Sequence, residues 1–131
     1  MKNEIKGCNV IGRLGGKFEH TLDITRRVYD VNAVAPTITT CGGGNAEPKI
    51  MEETECGYRV RKLTERECGR LMGVKDDDIA KIGKNLSRSA QYHTFGDSIV
   101  TACLMVIFGK MFNVDYESKI KELTKKITGE G

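Results

Sequence analysis

Residues 97 to 108 read Asp97-Ser98-Ile99-Val100-Thr101-Ala102-Cys103-Leu104-Met105-Val106-Ile107-Phe108, and the run continues to Phe112. After Gly96, either Asp97 or Ser98 is placed to cap a helix over 97–112. Apart from Thr101, its first three turns are apolar on every side. A helix hydrophobic all round has to be buried all round. A chain of 131 residues whose other half is a thin β module has little to cover it with. The run therefore predicts a helix sandwiched inside a dimer, or one shaped to pack on a further domain that this chain does not contain.

Working outward, residues 115–127 form a basic amphipathic helix, with Ile120, Leu123 and Ile127 on one stripe and Lys121, Lys125 and Lys126 elsewhere. Lysines late in a helix complement its carboxy-terminal dipole. Upstream, Thr64-Glu65-Arg66-Glu67 is a capping box, in which the Thr hydroxyl accepts from a backbone N–H three residues on and Glu67 reaches back. Cys68, Leu71 and Met72 then share a helical face, and Gly73 supplies a stop. The run Asp76-Asp77-Asp78 predicts a solvated turn or a helix start rather than a metal site.

In the first half the period shortens. Residues 9–14, 26–31, 34–40 and 58–63 read as short strands, with Pro36 confining the third to an edge. Gly15-Gly16 and Gly42-Gly43-Gly44-Asn45 punctuate them, and a polar loop precedes the fourth. The expected fold class is α+β: a small β-rich module over residues 1–60, followed by a helical segment over 61–131.

Composition constrains function less than pattern does. A net charge of +3 is too small to argue for nucleic acid unless the charges share one face. Fifteen glycines exceed the usual share of roughly 7%, and their bunching points to loops that approach something closely. Cysteines at 8, 41, 56, 68 and 103 form no Cys-x-x-Cys pair and only two histidines are present, which argues against structural zinc. The odd count fits free thiols in a reducing compartment, so a cytoplasmic location is expected. No stretch reads as a signal peptide or as long enough to span a membrane.

Three blocks together resemble the end of a DNA cytosine-5 methyltransferase, an enzyme of the kind found in restriction-modification systems. Arg27-Val28-Tyr29, with Ala35-Pro36-Thr37-Ile38-Thr39-Thr40 and Gly42-Gly43-Gly44, resembles the end of the family's target recognition region. Arg61-Lys62-Leu63-Thr64-Glu65-Arg66-Glu67-Cys68-Gly69-Arg70-Leu71-Met72-Gly73 resembles the ninth family motif. Gln91-Tyr92-His93-Thr94-Phe95-Gly96-Asp97-Ser98-Ile99-Val100 resembles the tenth. They stand in the family's order and cover most of residues 9–112.

The resemblance implies a module that reads double-stranded DNA, followed by helices that pack on a catalytic domain; the chain would be an incomplete part of a two-domain methyltransferase. Arg27, Thr37 and the run Gly42, Gly43 and Gly44 would lie in the recognition loops. Glycine lets the backbone approach a phosphate, and Arg27 carries a fork suited to guanine or phosphate. The loop from Gly15 to Arg26 offers Lys17, His20, Thr21 and Arg26 as further readers. Arg61, Arg66 and Glu67 are expected to be ion-paired scaffold.

At the tenth block, Asp97, Ser98 and Ile99 would border S-adenosylmethionine at a helix start, where free N–H groups favour an anion. The family usually has Asn-Ser where this chain has Asp97-Ser98. A carboxylate there repels the cofactor's own carboxylate unless it turns toward the ammonium.

Cytosine-5 methylation needs a thiolate to attack the flipped base. In the family that thiol follows a proline, whereas Pro36 and Pro48 are followed by Thr37 and Lys49. Glu-Asn-Val and Phe-x-Gly-x-Gly are missing as well, so the reading assigns no catalytic residue. Methyl transfer would need a catalytic half on another polypeptide, with S-adenosylmethionine bound jointly. The chain would be a split subunit, a remnant or a segment of a longer enzyme, and in isolation a homo-oligomer. The alternative function is a stand-alone, non-catalytic DNA-binding or interaction module.

Overall fold

In the first half, strands form where β-branched and aromatic residues can face a shared core. The structure, a computed structural model, describes residues 7–41 and 46–128. Strand β1 (Val10–Arg13) pairs antiparallel with β2 (Arg27–Asp30), with a register irregularity between Val10 and Gly12. Strand β3 (Lys49–Thr54) lies parallel to β2, and β4 (Gly57–Lys62) returns antiparallel to β3. The order is β1-β2-β3-β4. Among the described residues of this half, Val28, Tyr29, Ile38, Cys41, Ile50 and Leu63 are the buried apolar ones.

Two sequence expectations need correcting here. Residues 34–40 are not a strand. Pro36 has no N–H to give a ladder, and Cys41 turns the chain away at φ 49°. The segment instead belongs to the crossover that a parallel pair requires, pinned by buried Ile38 and Cys41. Conversely, residues 49–54, expected as a polar loop, are strand β3. Ladders to β2 and β4 on its two sides satisfy its backbone, and Glu52 pairs with Arg61 across the hairpin at 2.6 Å.

The chain divides into two compact units, Met1–Leu63 and Thr64–Gly131. The second is helical. Its first helix, α2 (Glu65–Leu71; α1 is the short turn Asp23–Arg26), starts on the expected box: the Thr64 hydroxyl accepts from the Glu67 N–H, and the Glu67 carboxylate accepts from the Thr64 N–H at 2.7 Å. Gly73 ends it at φ 83°, with the Val74 N–H donating to the Gly69 carbonyl. The aspartate run opens α3 (Asp76–Asn85). Asp76 accepts from Arg70 Nε at 2.8 Å and from Arg66 Nη2 at 2.5 Å. Cys68, Met72, Ile79, Tyr92 and Phe95 make the core of this unit.

The expected helix start at Asp97 or Ser98 is also corrected. Ser87 caps an earlier helix, α4 (Arg88–Gly96), which carries Tyr92 and Phe95 inward and ends at Asp97. Helix α5 (Thr101–Phe112) begins only after Val100, and α6 (Glu117–Thr128) follows the left-handed turn at Asn113. Within α5 only Gly109 is buried. Met111 and Phe112 are more than two-thirds exposed, and Phe108 stacks on Phe112 at 6.3 Å. The all-round burial that the sequence asks for is not provided by the described residues.

By length and composition Arg88–Phe112 would suffice to cross a membrane, contrary to the sequence expectation. It is not one helix, however. The backbone leaves helical geometry at Ser98–Val100, and a lipid-exposed break of that kind strands polar groups in hydrocarbon.

Helix α2 approaches its neighbours closely at Gly69. A Cβ there would lie 2.7 Å from Ile79 Cδ1 and 3.0 Å from Phe95 Cζ. Gly69→Ala is expected to destabilise the chain by about 1–3 kcal/mol, as overpacked cores do, seen as a lower urea midpoint at unchanged m value.

The Arg70 and Arg66 guanidiniums hold the Asp76 carboxyl well below its ordinary value of 3.8. A depressed folded-state pKa adds stability above the unfolded value, and that stability is lost as pH falls toward the folded one. Thermal melts from about pH 5 to about pH 2 should therefore show stability falling below about pH 4, with Asp76→Asn flattening that limb.

Candidate functional site

In the first unit, the segment between β1 and β2 closes on itself. The Leu14 N–H donates to the Arg26 carbonyl at 2.8 Å, and Arg26 Nε donates back to the Leu14 carbonyl at 2.8 Å. Within the loop, the Thr21 hydroxyl donates to the Phe18 carbonyl and the Thr25 hydroxyl to the Leu22 carbonyl, both at 2.7 Å. Hydroxyls that bond their own backbone keep a short loop in one conformation.

This loop and the crossover after β2 form the walls of a cleft of about 880 Å³ lined by, among others, His20, Thr21, Arg27, Tyr29, Thr37 and Thr39. Of the residues expected to read DNA, Arg27, Thr37, His20 and Thr21 therefore come together. Lys17 sits exposed on the turn Gly16–Phe18 and does not line the cleft. Arg26 does not line it either, its Nε being engaged with Leu14. Gly42, Gly43 and Gly44 lie outside the described residues.

Arg27 is not a free side chain. Its Nε donates to Asp23 Oδ2 at 2.7 Å, and Nη2 lies 2.7 Å from the same oxygen. The other oxygen of Asp23 accepts from Arg13 Nε at 2.7 Å. Arg13 is the direct cross-strand neighbour of Arg27. The two guanidiniums, Arg13 first, hold the Asp23 carboxyl below its ordinary range. Asp23 in turn, with a smaller contribution from Tyr29, raises Arg27 above its ordinary value.

Behind the cleft, Lys49 is almost fully buried, and its Nζ donates to the carbonyls of Thr25 at 2.8 Å and Glu47 at 3.1 Å. Burial, helped by Lys62, lowers its pKa. Burial works to raise the Glu47 carboxyl, but a backbone N–H and the Lys62 ammonium 3.1 Å away bring it below its ordinary value. Sequence reasoning missed Arg13, Asp23 and Lys49. The four-residue spacing of Asp23 and Arg27 was a usable signal, since such pairs meet on one helical turn. Nothing in the sequence marks Lys49 as buried.

In the second unit, Asp97, Ser98 and Ile99 occupy the link between α4 and α5, and all three are exposed. Asp97 Oδ2 lies 2.9 Å from His93 Nδ1, and the Ser98 hydroxyl donates to the Thr94 carbonyl at 2.7 Å. The helix start lies two residues beyond them, and its donors are partly used: the Thr101 N–H meets the Met72 carbonyl at 3.4 Å and the Cys103 N–H that of Val100 at 3.0 Å. A ligand at this link would meet side chains rather than a row of free N–H groups.

Arg61 and Arg66 are ion-paired and Glu67 completes the cap, which is scaffold work. Cys41 and Cys68 are buried, and burial pushes the Cys41 thiol up, away from the thiolate form. Among the described residues, no group of three or more His, Cys, Asp or Glu could hold a metal ion.

Comparison with known proteins adds to this geometry. The orphan methyltransferases M.SPBetaI of Bacillus phage SPbeta and M.Phi3TI of Bacillus phage phi3T are each 27% identical to the chain over 166 aligned residues, covering 93% of it and 37% of their own length. The putative type II methyltransferase M.BsuMIIP of Bacillus subtilis (strain 168) matches to the same extent. The chain thus spans little more than a third of these curated relatives. Residues 2–113 match the family model of the C-5 cytosine-specific DNA methylases, and the chain belongs to that family.

Proposed function

We propose that this chain is the DNA-recognition and carboxy-terminal part of a DNA cytosine-5 methyltransferase. It contributes target recognition to S-adenosylmethionine-dependent methylation of cytosine in duplex DNA and does not catalyse methyl transfer alone. The observation that carries this is the cleft shared by Arg27 and Thr37, with a guanidinium fork held at its edge. Fixed donors beside a cleft that leaves room for a groove edge are what base and phosphate contacts require. The Pro-Cys nucleophile, which the chemistry cannot do without, is not in this sequence.

The uncovered helix α5 supports the second element of the proposal. Its exposed Ile107, Phe108, Met111 and Phe112 make an apolar surface of the kind that interfaces cover. In the proposed enzyme, the catalytic part packs there, and Asp97 and Ser98 border the cofactor from that edge.

Complementation tests the proposal. The purified chain, supplied with labelled S-adenosylmethionine and duplex DNA, is expected to transfer no methyl group until a catalytic half carrying Pro-Cys is added. Transfer by the chain alone would overturn the non-catalytic reading. Failure of any catalytic half to restore transfer, with DNA binding intact, would leave the stand-alone DNA-binding module in its place.

Without that partner the α5 surface is expected to drive self-association. Light scattering across a concentration series should give a mass above that of the 14.5 kDa monomer. The addition of a catalytic half should then displace the self-association by mass action.

A further inference from the structure

Two arginines directly opposite each other on an antiparallel ladder repel, and such a pair costs stability unless something offsets it. Arg13 and Arg27 are such a pair in β1 and β2. One carboxylate offsets it: Asp23 gives Oδ1 to Arg13 and Oδ2 to Arg27, both at 2.7 Å. All three side chains are between about one-third and three-fifths exposed. Exposed ion pairs contribute little to folding, so stability alone gives no reason to assemble two cations and one anion here. The cluster also keeps a net positive charge and stands at the rim of the cleft that Arg27 lines.

The geometry leaves the fork usable. A guanidinium has five N–H donors in fixed directions. Asp23 engages Arg27 through Nε and Nη2, and Tyr29 also hydrogen-bonds this guanidinium, which still leaves donors of the five for an acceptor outside the protein. A long side chain whose orientation is set beforehand loses less entropy when it binds.

We propose that Asp23 is a positioning residue that locks Arg13 and Arg27 into one preset pair of guanidiniums, so that sequence discrimination by Arg27 depends on Asp23. This rests on the proposal that Arg27 contacts DNA, and the two can fail separately.

The test uses the full chain and a pool of duplexes with a randomised centre, from which the preferred site is selected. Affinity is then measured for that site and for the unselected pool. Arg27→Ala is expected to reduce the ratio of the two by about tenfold or more. Asp23→Asn is expected to reduce it by about fivefold, with binding to the random pool held or raised because a negative charge has gone. Asp23→Glu should recover part of the ratio. In an Arg27→Ala background, Asp23→Asn should have no further effect on it, the mark of coupled residues.

If Asp23→Asn raises both affinities equally, Asp23 acts only by charge and the proposal fails. Equal loss on both, with a lower melting temperature, would make Asp23 merely structural and also overturn it. If Arg27→Ala collapses the ratio while both Asp23 variants preserve it, the DNA reading stands and the positioning role does not. A pool that yields no preferred site, or an Arg27→Ala variant with an unchanged ratio, removes the DNA reading and the proposal with it.

Discussion

A buried ammonium is expensive to strip of water unless carbonyls and charges replace its hydration. Lys49 meets that condition at the centre of the first unit. It sits on β3, yet its donors go to the carbonyls of Thr25 and Glu47, on either side of the strand it borders. Thr25 belongs to the short turn just before β2, and Glu47 to the end of the crossover. One side chain thereby ties the loop wall of the cleft to its crossover wall. The hydroxyl bonds of Thr21 and Thr25 then fix the loop's own path.

With its walls set, the cleft acquires chemistry from the arginines at its rim. Arg27 is held by a neighbour rather than by burial, so it keeps both its charge and its access to an outside acceptor. Arg26, next in the chain, points to the Leu14 carbonyl instead and serves the neck of the loop. Adjacent, chemically identical side chains are thus given different partners by the junction between α1 and β2, where Arg26 ends the turn and Arg27 opens the strand.

The second unit shows a different division. Around Cys68, Ile79 and Phe95 it is closely packed, and Gly69 leaves no room for a methyl group. Along α5 the packing stops. A helix with that composition and only Gly109 buried leaves much of its apolar surface in water, the feature on which the proposed interface with a catalytic part rests.

Much of this was legible before any coordinates. The capping box at Thr64, the stop at Gly73, the paired scaffold role of Arg61 and Arg66 and the apolar excess of α5 all follow from local rules, because caps, turns and amphipathic periods are set by residues a few positions apart. The family itself was legible for a similar reason, each stretch that resembles it being a contiguous run. What only the tertiary structure decided is long-range. Strand β3 is polar and reads as a loop; the ladders to β2 and β4 make it a strand. Residues 34–40 read as a strand, and the parallel pairing of β2 with β3 makes them a crossover. The tenth block reads as leading into a helix that starts at Asp97 or Ser98, but most of it lies in an earlier helix, α4, and α5 starts only at Thr101. Lys49 and Arg13 carry no local signature, since the partners that set their roles, Thr25 and Asp23, lie 24 and 10 residues away, whereas Asp23 has only its four-residue spacing from Arg27 to mark it. The sequence determined which segments could form and what they could contact; the pairing of distant segments decided which of those possibilities the chain could satisfy together.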